Sequence, residues 1–172
     1  EDYAYDAASR LAEKTDRRGW KTEFDYNRLG QLTEERWYVG TELMRTIENT
    51  YDAAGQLLSA GDELSAEYDY AYDDLGRLES QTQAVAGLPP SFDIAYASTY
   101  NLAGSRTALT ATIDGTADFA NAYAYDDLHR LIRADTGSAA TSVSYDALGN
   151  VTHKSGVGAY AYRSSRPHAV TE

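Results

Sequence analysis

Tyr72-Asp73-Asp74-Leu75-Gly76-Arg77-Leu78 decides the fold of this chain, because the same heptad returns along its whole length. Tyr51-Asp52-Ala53-Ala54-Gly55-Gln56-Leu57 and Tyr26-Asn27-Arg28-Leu29-Gly30-Gln31-Leu32 are close copies, and Tyr5-Asp6-Ala7-Ala8-Ser9-Arg10-Leu11 carries serine in place of glycine. Degenerate copies begin at Tyr100, Tyr125 and Tyr145; the first has Asn101 and Arg106, and the second has His129 at the glycine position. The gaps between the seven tyrosines are 21, 25, 21, 28, 25 and 20 residues. A period of this size marks an array of one small unit stacked on its own copies, so function belongs to the array.

The glycines fall into two sets. Gly30, Gly55, Gly76, Gly104 and Gly149 sit four residues after a motif tyrosine, and Gly19, Gly40, Gly61, Gly87, Gly115, Gly137 and Gly156 lie between motifs. Gly158 alone is left without a turn. Two turn points in each repeat leave two strands of about 6–9 residues. In the motif turn the Asp or Asn side chain accepts backbone N–H bonds from the residues ahead, and glycine supplies the positive φ that closes it. Ser9 and His129 must adopt that conformation at some strain. Asp114-Gly115 predicts a tight hairpin, whereas Gly87-Leu88-Pro89-Pro90 predicts a longer loop.

The strands entering the motifs alternate with period two. Leu64, Ala66, Tyr68, Tyr70 and Tyr72 share one face, against Ser65, Glu67, Asp69 and Ala71. Trp20, Phe24 and Tyr26 repeat the pattern, as do Phe92, Ile94, Tyr96 and Tyr100, and Phe119, Tyr123 and Tyr125. No helical stripe competes. The predicted fold is all-β: an antiparallel β-hairpin repeat array over residues 1–172, with one aromatic face and one small or acidic face. Seven hairpins give about 14 strands, and at ~4.8 Å each the sheet is roughly 65 Å wide. Twist makes sheets of that width curl, and such a sheet exceeds the ~8-strand barrel that side chains can fill. The expected form is a curved wall around a wet interior.

Composition narrows the function classes. Only 42% of the 172 residues are hydrophobic and 15 are tyrosine, which argues against a conventional apolar core. The chain lacks cysteine, which removes disulfides and thiolate metal sites. No apolar run reaches the ~20 residues of a membrane helix, and no signal peptide is present. It opens almost on a motif tyrosine without an initiator Met, which predicts a piece cut from a longer protein. The formal net charge of −12 opposes nucleic-acid binding; it reads first as a solvated acidic surface, which could also attract cations or basic proteins.

With these motifs in register, the chain resembles the Rhs/YD-repeat family, which includes bacterial Rhs polymorphic toxins, C-type subunits of Tc toxins and the YD shells of teneurins. The Arg166-Pro167-His168-Ala169-Val170 ending resembles the segment that closes a YD stretch in these proteins. The resemblance implies a spiralling β-sheet shell that encloses a C-terminal effector or supports adhesion, in a secreted or cell-surface protein. It also implies a non-enzymatic role, with the rest of the parent shell and an enclosed effector as partners. The glycine-rich, self-cleaving core segment of toxin members is missing here, so no catalytic residue carries over. Seven repeats are too few for a whole shell.

Candidate sites divide into structural and binding positions. Tyr26, Gly30, Tyr51, Asp52, Gly55, Tyr72, Asp73, Gly76, Tyr125, Asp126, Tyr145, Asp146 and Gly149 read as motif positions, the acids being turn caps. A calcium array would need several oxygens converging at each site, and Asp-x-x-Gly offers one carboxylate. His129, His153 and His168 have no spacing partner, and no Gly-x-Ser-x-Gly elbow or distinguished acid pair appears. No metal and no cofactor are expected. Trp20, Trp37, Tyr38 and Tyr70 form the alternative site, an aromatic platform for carbohydrate or cell wall, although tryptophan does not recur in later repeats. The leucines after the turns read as packing. Free strands near Tyr3 and Tyr160 predict self-association.

Overall fold

A computed structural model of the chain describes residues 1–62, 64–86, 92–163 and 166–170. Every regular element among them is a strand; fifteen of them follow one another in chain order as neighbours in one sheet without a crossover, and the last two pair with each other. Residues Glu1–Ala95 form one compact unit and Tyr96–Glu172 a second.

The first unit contains β1 (Asp2–Tyr5), β2 (Leu11–Thr15), β3 (Trp20–Tyr26), β4 (Leu32–Val39), β5 (Glu42–Tyr51), β6 (Leu57–Asp62), β7 (Ala66–Tyr72) and β8 (Leu78–Val85). β9 (Phe92–Tyr100) runs across the boundary between the units. The second unit continues with β10 (Arg106–Ile113), β11 (Thr116–Tyr125), β12 (Leu131–Asp135), β13 (Ala140–Tyr145), β14 (Val151–Lys154) and β15 (Gly158–Ala159). A separate two-stranded ribbon, β16 (Tyr162–Arg163) with β17 (Arg166–Val170), follows.

All seven motif tyrosines are the last residue of a strand, and the leucine, arginine or valine six residues later opens the next. In every motif hairpin whose pairing is described the register slips just before the tyrosine, as at Ala71/Tyr72, where Tyr72 pairs with Leu78 and Ala71 with Ser80. That slip is a β-bulge, the expected companion of a turn closed by a left-handed residue. Ser9 and His129 adopt positive φ (61° and 60°) where other repeats place glycine. Asp114 and Gly115 both have positive φ and join Ile113 to its partner Thr116, as the Asp-Gly signal predicts.

Period two survives intact. Along β7 the side chains alternate between half-buried Ala66, Tyr68, Tyr70 and Tyr72 and exposed Glu67, Asp69 and Ala71. The register extends this division through the first unit. Trp20, Phe24, Trp37, Ile47 and the motif tyrosines share one face, with Glu13, Glu23, Asp25, Glu34, Glu48, Glu67 and Asp69 on the other. In the second unit the opposite face is mostly small, with Ala108, Ala120, Ala122, Ala124, Ser142 and Ser144 behind Phe119, Tyr123 and Tyr125, and it also carries Arg133, Asp135 and His153. Among the described residues Ala111 is the one apolar side chain that reaches full burial. Strand ladders and cross-strand pairs carry the stability here, since a single layer has no opposing layer to pack against.

Three glycine and face assignments need correction. Gly61 lies inside β6, paired with Glu48 and Glu67, and the turn is closed after it by the Ser65 N–H on the Asp62 carbonyl at 3.4 Å. Asp62 makes that turn by accepting the Leu64 N–H at 2.8 Å and the Ser65 hydroxyl at 2.9 Å, so no glycine is needed there. Leu64 consequently sits in the turn, off the tyrosine face. Gly158, left over in the sequence, has φ of +119° where β15 begins. The loop expected at Gly87-Leu88-Pro89-Pro90 lies outside the described residues.

Candidate functional site

The motif turn is built by one carboxylate. Asp73 Oδ1 accepts the Leu75 N–H at 3.0 Å and the Arg77 N–H at 2.9 Å, and the Gly76 N–H bonds the Asp73 carbonyl at 2.8 Å. Its second oxygen takes the Arg77 Nε at 2.7 Å. Asp6 with Arg10 and Asp126 with Arg130 repeat this arrangement, and Asp146 holds the Asn150 amide instead. Asn27 and Asn101 make the same two backbone bonds without the charge. Asp52 accepts the Gln56 N–H at 2.8 Å. The turn at Asp16, which carries no motif tyrosine, has the same bonds to Arg18 and Trp20.

These bonds favour the charged carboxylate. The Arg77 backbone N–H, and then its side chain, hold the Asp73 carboxyl below its usual range. Asp6 is lowered by Arg10 in the same way, Asp126 chiefly by the Arg130 side chain, and Asp146 chiefly by the Asn150 side chain. A carboxyl lowered in the fold contributes stability that is present above its unfolded pKa of ~3.9 and is lost as pH falls through the folded value. Melting temperature should therefore hold from pH 7 to about 5 and fall steeply below about 4. Asp73→Asn keeps the turn that Asn27 and Asn101 already make, so it should flatten part of the acid slope. An unchanged slope in melts between pH 7 and 2 would show that the carboxylates do not set it.

Consecutive turns are then tied together by two rungs that sequence reasoning missed. The first is the motif hydroxyl. Tyr26 Oη donates to the Leu11 carbonyl at 2.9 Å, Tyr51 to Leu32 at 2.8 Å and Tyr72 to Leu57 at 3.0 Å, each reaching the preceding hairpin. In the second unit Tyr125 reaches Arg106 and Tyr145 reaches Leu131, both at 2.8 Å. Tyr162 reaches Val151 at the same distance, taking the place of an eighth motif tyrosine. A signal existed: all seven motif positions are tyrosine and none is phenylalanine, which packing alone would accept.

The second rung comes from the residue after the glycine. Gln31 Nε2 donates to the Gly55 carbonyl at 3.0 Å and Gln56 Nε2 to the Gly76 carbonyl at 2.9 Å. Arg10 reaches the Asn27 carbonyl at 3.1 Å and Arg130 the Asp146 carbonyl at 3.2 Å. Both guanidinium groups also lie over the next tyrosine ring, 4.7 Å from Tyr26 and 4.5 Å from Tyr145. At these four turns a long polar side chain thus splices the turn to its successor.

The aromatic platform is divided by the register. Trp20 and Trp37 share a face, 51% and 41% exposed, with Val39 between them. Tyr38 points to the opposite face, where its hydroxyl bonds Glu23 at 3.1 Å and Lys21 lies 4.6 Å over its ring. Tyr70 shares the tryptophan face but sits on β7, three strands from β4. Arg45 stacks on Trp37 and pairs with Asp62 at 3.0 Å. His129 serves in its turn, and His168 Nδ1 meets Asn150 Oδ1 at 2.8 Å. No group of three metal-binding side chains converges among the described residues.

Residues 5–36 and 51–87 match the RHS repeat family. No curated protein matches the chain. Among solved structures the fold is similar to the Photorhabdus luminescens Tc holotoxin pore carrying a TccC3 mutation, at TM-score 0.66 and 20% identity over 98% of this chain and 9% of that one. A TcdB2–TccC3 crystal structure aligns at TM-score 0.65 and 19% identity, again over 98% of this chain and 9% of that one. TcdB2–TccC3 without its hypervariable C-terminal region aligns at 0.65 and 14%, over 93% of this chain and 10% of that chain. This chain thus spans about a tenth of the length of those proteins. Residues 5–36 and 51–87 thus carry the RHS repeat, and the same turn is rebuilt in every motif hairpin along the chain.

Proposed function

We propose that this chain is a structural wall segment of a longer YD-repeat shell, and that it performs no catalysis. The observation that carries this reading is the pair of rungs between successive hairpins, which turn the motif tyrosine and the residue after the glycine toward a neighbouring repeat. Its partners are then the flanking repeats of the parent and a C-terminal effector enclosed by the completed shell. That role places the parent outside the cell or on its surface. The fragment alone, with the bare strand β1 at its margin, is expected to associate with itself.

Enclosure can be tested in the parent protein by protease protection of the region C-terminal to the repeats. That region should resist digestion in the intact parent and become cleavable when a Gly61→Val substitution breaks this segment. Equal cleavage of both proteins would refute enclosure. A second reading rests on Trp20 and Trp37, whose rings share one exposed face and could stack on sugar rings. Saturable quenching of these two tryptophans by a soluble glycan, lost in Trp37→Ala, would establish it.

A further inference from the structure

The acidic face of the first unit is unevenly neutralised. Over β2–β4 its two cations are fully engaged: Lys21 pairs with Glu23 at 2.6 Å, and Arg36 with Asp25 at 2.6 Å and Glu34 at 2.8 Å. Over β5–β7 the one cation, Arg45, lines the same hollow but faces the aromatic side, opposite Trp37. Neither Glu48 nor Glu67 has an ion pair or hydrogen bond among the described residues; Arg36, on the same face, is committed to Glu23, Asp25 and Glu34, and Arg45 to Asp62 and Trp37.

These two acids border a concavity of about 470 Å³. Its floor is shaped by the glycine that the turn pattern does not explain. Gly61 pairs with Glu48 on one side and Glu67 on the other, so the two glutamates project from the same face with no side chain between them. Two strand spacings put their backbones about 10 Å apart. Leu43, Met44 and Leu64 form an apolar lip, each at least half exposed. The extra residue in β5 near Met44 accompanies a register slip opposite Trp37/Tyr38. Thr46, Thr50 and Ser59 add hydroxyls to the wall, which the Arg45–Asp62 pair also borders.

We propose that this concavity is a docking site for a basic polypeptide segment, with an arginine held between Glu48 and Glu67 and aliphatic neighbours against Leu43, Met44 and Leu64. A guanidinium has donors along both edges, so it can engage one carboxylate on each side, as a compact ammonium cannot across this gap. The apolar lip matches the hydrocarbon stem and its neighbours. Charge complementarity with a chain of net charge −12 speeds encounter, and the uncompensated pair supplies the local selectivity. The site lies wholly in the first unit, and its occupancy is independent of whether the parent encloses an effector.

The test uses the whole chain and a fluorescein-labelled hexapeptide alternating leucine and arginine, titrated by anisotropy in 0.15 M salt. The expected result is saturable binding, weakened at least tenfold by Glu48→Gln with Glu67→Gln. Asp2→Asn with Glu79→Gln removes the same charge elsewhere and should change affinity less than twofold. Leu64→Ser should weaken it severalfold, and a lysine version of the peptide should bind less tightly. Absence of saturation overturns the proposal. So does equal weakening by the two double variants, which would reduce the effect to diffuse attraction, or equal binding of hexa-arginine without leucine. Unchanged far-ultraviolet circular dichroism in the glutamine variants confirms that they remain folded.

Discussion

Gly61→Ala should lower stability by about 3–5 kcal/mol, combining backbone strain with overpacking. At φ of +152° the residue occupies a region nearly closed to other amino acids, and an added Cβ would run into the Ala66 carbonyl oxygen and lie 2.7 Å from Glu67 Cα. Backbone atoms of a paired strand cannot step aside as a flexible side chain can. At Gly76 the nearest atom to an added Cβ is the Gln56 amide at 3.3 Å, and around Gly104, Gly149 and Gly158 nothing lies within 4 Å. Those positions suffer strain from positive φ alone, about 1–3 kcal/mol. Gly158, which has no role in the turn pattern, belongs with this costly group because its φ is +119°. Urea unfolding of the alanine variants orders them directly. If Gly61→Ala unfolds no earlier than Gly158→Ala, the close approach of β7 is not what excludes a side chain.

Replacing Tyr26, Tyr51 and Tyr72 together with phenylalanine should cost roughly 3 kcal/mol, about 1 kcal/mol for each lost hydroxyl bond. The rings and their packing remain, and only the bonds to the carbonyls of Leu11, Leu32 and Leu57 disappear. Successive motif tyrosines are two strands apart, so the three losses should add. Tyr68→Phe provides the control. Its hydroxyl has no hydrogen bond among the described residues, and its removal should move stability by less than about 0.5 kcal/mol. Amide exchange offers a second reading, since protection at the strand starts after each turn should fall in the triple variant. A triple variant as stable as the parent would reduce the tyrosines to packing groups.

Local chemistry explains why so much of this architecture was legible before any coordinates. The Asp or Asn after each tyrosine, the glycine three residues later and the alternation along β7 or β11 act within a few residues, so turn positions and faces follow from neighbours in the chain. Ser9 and His129 fit the same rule in strained form. Gly61 did not, because its requirement comes from Ala66 and Glu67 across the ladder, and Asp62 had already made the adjacent turn. Leu64 was misplaced with it.

The sequence by itself determined an antiparallel hairpin array, its repeat length, its aromatic and acidic faces and its likeness to the RHS repeat. Each of those depends on short-range turn chemistry and on a period of two. The tertiary structure decided which side chains meet. It joined Tyr51 to Leu32 and Gln56 to Gly76, bonds that span 19 and 20 residues. It set Glu48 and Glu67 on either side of a glycine. Such pairings depend on strand register, which bulges shift one residue at a time, and a one-residue shift moves a side chain to the other face.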